Sequence, residues 1–169
     1  HKGIHSVFQR LGYSPNKEYN SLYGDTRPQF IDEKSGKNVD VFLDKFRMGH
    51  TLDFRQRLRL DNLTIPISDL LLTKLQVVKF DQKDANDIVA IVEDHELGHK
   101  DGRETLNLDY IAELRSRDWG LYKTISVNLG RMNQSLSGRA SSLPGDGELL
   151  RKLTAIRDSL ETRRKSLRW

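Results

Sequence analysis

The feature that most limits what this chain can fold into is a change in the spacing of its apolar residues near position 62. Before it, apolar side chains alternate with polar ones in short runs broken by turn residues. After it, they recur every three or four positions through long stretches. Alternation suits strands with one buried face, and a period near 3.6 suits helices with one buried stripe. A chain that does first one and then the other reads as α+β. The expected organisation is a small sheet unit over residues 1–61 and a helical region over 62–169.

In the first part, Val7, Phe8 and Leu11 space as a helix that ends at Gly12. Residues 20–23 and 27–31 are strand candidates. Val39 to Leu43 is the strongest strand segment, β-branched and aromatic around Asp40. The run Lys34-Ser35-Gly36-Lys37-Asn38 predicts a turn that pairs this segment with 27–31. A further strand is expected over 51–60, with Leu52, Phe54, Leu58 and Leu60 on one side. Beyond Asp61, Ser68 is the expected N-cap of a helix carrying Leu70, Leu71, Leu72, Leu75, Val77 and Val78. A second helix is expected from Asp84 to about Glu96, with Ile88, Ile91 and Val92 inward. Residues 107–121 and 122–136 predict two more. A Gly/Ser-rich loop over 137–147 leads to a basic helix over 148–169, with Leu149, Leu153, Ile156 and Leu160 in register.

Composition narrows the chemistry. The chain has no cysteine, which excludes disulfides, thiol catalysis and thiolate metal sites and fits a cytoplasmic protein. No run approaches the roughly 20 apolar residues of a membrane helix, so no membrane partner is expected. The formal charge of +4 is a mild basic bias, compatible with a nucleotide or nucleic-acid partner. The chain opens at His1 inside a helical pattern, and the expectation is that it is a fragment or a processed product.

Three constellations could carry chemistry. Asp40 lies in the middle of a strand, where an acid is disfavoured; it is exposed, paired or functional. Lys74 sits on an otherwise apolar helix, either extending its ammonium to the surface or serving a site. Asp84 and Asp87 are one helical step apart, and Asp84 also suits the first turn of its helix. His95-Glu96-Leu97-Gly98-His99 is a literal H-E-x-x-H. On a helix its two imidazoles would hold zinc and Glu96 would act as general base. Against it, Gly98 and Gly102 look like a helix end, and Thr105 stands where the longer form of the motif has a third His. Glu113 or Glu148 would have to complete the site. Trp119-Gly120-Leu121-Tyr122 reads as a helix-packing cluster, and Arg163-Arg164-Lys165 with Arg168 and Trp169 as a solvated tail able to touch phosphate.

Four ordered segments carry a resemblance. They are VDVFLDKFRMGHTLDFRQRL (39–58), TIPISDLLLTKLQVV (64–78), QKDANDIVAIVEDHELG (82–98) and NLDYIAELRSRDWGLYKT (107–124). Together they resemble the nucleotidyltransferase superfamily of DNA polymerase β-like fold, in the group related to abortive-infection nucleotidyltransferase toxins. The resemblance implies a partial nucleotidyltransferase-fold sheet followed by a helical C-terminal half. It implies transfer of a nucleoside monophosphate from a nucleoside triphosphate (NTP, such as ATP) to a hydroxyl acceptor on RNA, protein or a small molecule, with Mg2+. Two metals would clamp the attacking and departing oxygens. It maps Asp40 onto the third metal carboxylate. Lys74, Lys83 and Asp84 fall at the nucleotide, with Lys74 neutralising triphosphate charge. Asp87 would orient the attacking hydroxyl or position Lys74. An antitoxin is the implied protein partner. The Gly-Ser loop and Asp-x-Asp pair of that superfamily do not occur before Asp40. They are expected upstream of His1, or lost, and the chain alone is expected not to catalyse transfer and not to bind Mg2+ and NTP well. The rivals are a zinc hydrolase using His95, Glu96 and His99, and a non-catalytic interaction module.

Overall fold

The computed structural model describes residues 2–137 and 146–162 and is α+β, as the change in spacing predicts. The chain divides into two compact units, one ending at Arg47 and the other beginning at Met48. The period change at 62 therefore falls inside the second unit and marks the approach to its first helix. Among the described residues no helix is long and apolar enough to cross a membrane.

In the first unit, helix α1 (Lys2–Arg10) leads through Gly12, at φ +84°, into strand β1 (Tyr13–Pro15). Helix α2 (Lys17–Tyr23), strand β2 (Gln29–Asp32), strand β3 (Asn38–Asp40) and strand β4 (Lys45–Arg47) follow. β2 is central, antiparallel to β1 with Ser14 opposite Ile31 and to β3 with Phe30 opposite Val39. The predicted hairpin is present, turning at Gly36 with φ +68°, but its second strand is Asn38–Asp40 and not 39–43. Phe30 is the core of this unit; Phe8 stacks on it with ring centroids 4.1 Å apart. The strand expected at 20–23 is instead part of α2. The Asn16 side chain accepts from the Tyr19 amide at 3.2 Å and caps the helix, while Asn20 exchanges two bonds with the Gln29 backbone. Local capping outweighs the strand tendency of Tyr19 and Tyr23.

In the second unit, strand β5 (Thr51–Asp53) precedes helix α3 (Ile67–Leu75) and helix α4 (Gln82–Asp94). Strands β6 (Glu96–Gly98) and β7 (Thr105–Asn107) pair in parallel, Leu97 opposite Leu106. Helices α5 (Leu108–Arg117), α6 (Trp119–Ser137) and α7 (Asp146–Thr162) follow, α7 packing on α4, α5 and α6. Ile88, Ile91 and Val92 on α4 are buried, and so are Leu149, Leu153, Ile156 and Leu160 on α7, as their spacing predicts.

Four boundaries in this unit differ from the sequence reading, each for a chemical reason. The strand expected over 51–60 stops at Asp53, and the chain turns with the Arg57 and Leu58 amides both donating to Phe54 O. Leu52 and Phe54 are buried, but Leu58 and Leu60 stay about half exposed. Ser68 does not cap α3; that helix starts behind Pro66, and the buried Ser68 hydroxyl accepts from the Asn107 amide at 2.8 Å. α3 ends at Leu75, leaving Val78 exposed, because Asn128 on α6 donates to Leu75 O at 2.9 Å and Val77 O at 2.8 Å. This long-range side chain caps the helix where no glycine is present. The α5–α6 break falls at Asp118, whose carboxylate accepts from the Leu121 amide. Trp119, read as a packing residue, is 57% exposed. Most of the 137–147 loop, and the basic tail Arg163-Arg164-Lys165 with Arg168 and Trp169, lie outside the described residues.

Candidate functional site

Lys74 stands on the last turn of α3, where the neighbouring positions Leu71, Leu72 and Leu75 are fully buried. α4 packs beside α3 and begins with a capping box: Asp81 accepts from the Asp84 amide at 3.0 Å, and Asp84 accepts from the Asp81 amide at 3.4 Å. The box fixes the first turn of α4 and places Asp87 toward α3. Lys74 Nζ donates to Asp87 Oδ2 at 2.6 Å, with the two side chains 32% and 36% exposed. The Lys74 hydrogen bond holds the Asp87 carboxyl below the usual carboxylate range; the charges of Lys74 and Lys83 add to it and outweigh the little burial there is. Two ammonium groups thus act on one partly exposed carboxylate. Asp84, expected beside a nucleotide, has a carboxylate oxygen committed to the capping box.

Asp40 belongs to the first unit. Arg27 Nη2 donates to its Oδ2 at 2.9 Å and Gln29 Nε2 to its Oδ1 at 3.0 Å. Burial pushes its carboxyl up, but those two bonds and the Arg27 charge bring it below the usual range. Each Asp40 oxygen thus accepts from one nitrogen donor, one of them cationic, and keeps a further lone pair.

The H-E-x-x-H segment does not lie on a helix. α4 ends at Asp94, and His95 is extended at φ −126°, ψ 147°. Glu96 opens β6, its amide donating to Glu104 O. His95 Nδ1 donates to Ile91 O at 2.7 Å, and His99 Nδ1 faces Asp109 Oδ1 at 3.1 Å. The single helical turn that would align both imidazoles on one ion is therefore absent, which removes the geometric basis of the zinc reading. Glu113 and Glu148 pair with Arg117 and Arg151 on their own helices. Among the described residues no group of three His, Asp or Glu is arranged to hold a metal.

The most elaborate polar cluster in this unit has no motif in the sequence. Asp69, on the first turn of α3, has no solvent exposure. Arg57 Nε donates to its Oδ2 at 2.7 Å, and the Tyr110 hydroxyl donates to its Oδ1 at 2.6 Å. Arg57 also forms a two-pronged pair with Asp101, at 2.8 and 2.7 Å, and its guanidinium lies 3.7 Å from the Tyr110 ring centroid. Burial pushes the Asp69 carboxyl up, against the Tyr110 bond and the Arg57 charge. Burial likewise raises the Tyr110 hydroxyl, with the Asp69 charge adding to it. The signal that was available is positional. Asp69 lies three residues before Leu72 on the buried stripe of α3, where a carboxylate requires a partner.

Asp101 reads this network by pH. The Arg57 hydrogen bonds hold its carboxyl below 3.8 despite partial burial. A carboxylate lowered in the fold adds stability above its unfolded value and loses it as pH falls through its folded value. Asp101→Asn is expected to lower the urea midpoint at about pH 7. The deficit shrinks as pH drops below 3.8 and vanishes once wild-type Asp101 is protonated. Urea unfolding of both proteins across that range checks it; a deficit independent of pH contradicts it.

No protein-family model, curated protein or solved structure matches the chain.

Proposed function

We propose that the second unit carries the triphosphate-receiving part of a nucleotidyltransferase site, formed by Lys74 and Lys83 around Asp87. The observation that carries this reading is the Lys74–Asp87 pair, thirteen residues apart in sequence and 2.6 Å apart in space, at the positions the resemblance implies. The parent reaction forms a bond from an acceptor hydroxyl to the α-phosphorus and breaks the bond to the β-phosphate, releasing pyrophosphate. Asp87 pairs with the Lys74 ammonium at 2.6 Å. Pairs this exposed contribute little, so phosphate oxygens can take the place of the carboxylate. Lys83, one turn before Asp87, supplies a second charge. Asp40 is the carboxylate that would hold Mg2+, which would supply positive charge at the reacting phosphate, and no step is routed through it. The acceptor class implied is a hydroxyl of RNA or protein.

Calorimetric titration of ATP into the 169-residue chain tests this. Lys74→Gln is expected to weaken binding about tenfold, the loss of one charge-assisted bond, and Lys83→Gln by less. Unchanged affinity in Lys74→Gln, or no ATP binding by the wild type, favours the non-catalytic interaction module instead.

A further inference from the structure

A cleft of about 450 Å³ opens beside the Arg57 network, and its described walls are Asp53, Arg55, Gln56, Arg57, Tyr110 and Arg117. It shares no residue with the Lys74–Asp87 pair and does not depend on the function proposed for that pair. The volume lies within the range of about 300–1,000 Å³ usual for small-ligand sites. The walls hold three guanidinium groups and one carboxylate, with no lysine among them. That composition favours a ligand with paired oxygens, because a guanidinium presents two parallel N–H groups where an ammonium presents a point charge.

The three arginines differ in exposure and pairing. Arg57 is 13% exposed and locked by Asp69 and Asp101, which hold it from behind and are not among the cleft walls. Arg55 and Arg117 are 58% and 66% exposed. Arg55 pairs with Asp53 and Arg117 with Glu113, both partly exposed acids. Exposed pairs contribute little, so these two guanidinium groups can exchange a carboxylate for a stronger bidentate anion. We propose that this cleft binds a phosphate group, with Arg57 as the fixed wall and Arg55 and Arg117 as the two arms that close on the oxygens. The phosphate belongs to a small phosphate ester or to a nucleic-acid backbone.

The test is titration of the full chain, observed through backbone amides by nuclear magnetic resonance. The probes are inorganic phosphate and a short single-stranded RNA. Inorganic phosphate is expected to shift the amides of 53–57, 110 and 117 while those of 74–87 stay in place. The double variant Arg55→Gln/Arg117→Gln is expected to weaken phosphate binding about tenfold, and Lys123→Gln, an exposed cation on α6, to leave it unchanged. Arg57 itself is not replaced, since its loss disturbs the fold. RNA that binds about tenfold more tightly than phosphate, is displaced by it and weakens with salt identifies the backbone as the source. RNA no tighter than phosphate identifies a small phosphate. No binding of either probe, shifts spread evenly over all exposed cations, or wild-type affinity in the double variant overturns the proposal.

Discussion

Asp69→Ala is expected to be the most damaging single substitution in this chain, at about 4 kcal/mol of folding stability. The residue has no solvent exposure and accepts from both Arg57 and Tyr110. Removing it leaves the Tyr110 hydroxyl without its acceptor and a largely buried guanidinium with only the Asp101 side of its pairing. Breaking a buried pair from one side costs about 3–5 kcal/mol, because the remaining charge has already lost its water. Such a loss is a large fraction of the roughly 5–15 kcal/mol that holds a typical domain together. Tyr110→Phe alone is expected to cost about 1–2 kcal/mol. The double variant should cost less than the sum, since both changes remove the same bond. Urea midpoints of the three variants decide it. Additive losses, or an Asp69→Ala loss below about 1 kcal/mol, contradict the network as described.

The second large effect is expected at Lys152. This lysine is 4% exposed on α7, among the buried leucines of that helix. Its ammonium donates to Val92 O and Glu93 O at 3.3 Å and to His95 O at 2.9 Å. These are C-terminal carbonyls of α4, a helix with no basic residue in its last turn and no glycine after it. The cation thus meets the negative end of the helix dipole and the unpaired carbonyls together. Lys152→Met keeps most of the volume and removes the donor. We expect a loss of about 2–3 kcal/mol, and faster amide exchange in the last turn of α4 than elsewhere in that helix. A Met variant more stable than wild type would mean that burying the charge outweighs the three bonds.

These two sites show what the residues made legible and what they did not. Ile88, Ile91 and Val92, like Leu149 to Leu160, were readable because helical spacing is local. The turn at 54–58 was not. Arg57 finds its partners twelve and forty-four positions away, so parity through Leu58 and Leu60 carries no trace of them. The end of α4 was only half readable. Gly98 and Gly102 announced a stop, but the chain leaves the helix at Asp94, because Glu96 pairs with the Glu104 carbonyl and Lys152 closes the helix end. Asn16 is an ordinary N-cap signal, and in the fold it outweighs the strand tendency of Tyr19 and Tyr23. For the candidate site, spacing placed Lys74 on one helix and Asp87 on the next. Their contact depends on how α3 packs beside α4, which periodicity does not encode.

Lys74 is proposed to receive the charge of a triphosphate. The most direct measurement compares ATP with AMP on the wild-type chain and on Lys74→Gln, with Lys123→Gln as a charge-matched control. Wild type and Lys123→Gln are expected to bind ATP at least about tenfold more tightly than AMP, and Lys74→Gln to lose the preference. Equal affinity for the two nucleotides, or a preference that survives in Lys74→Gln, contradicts it.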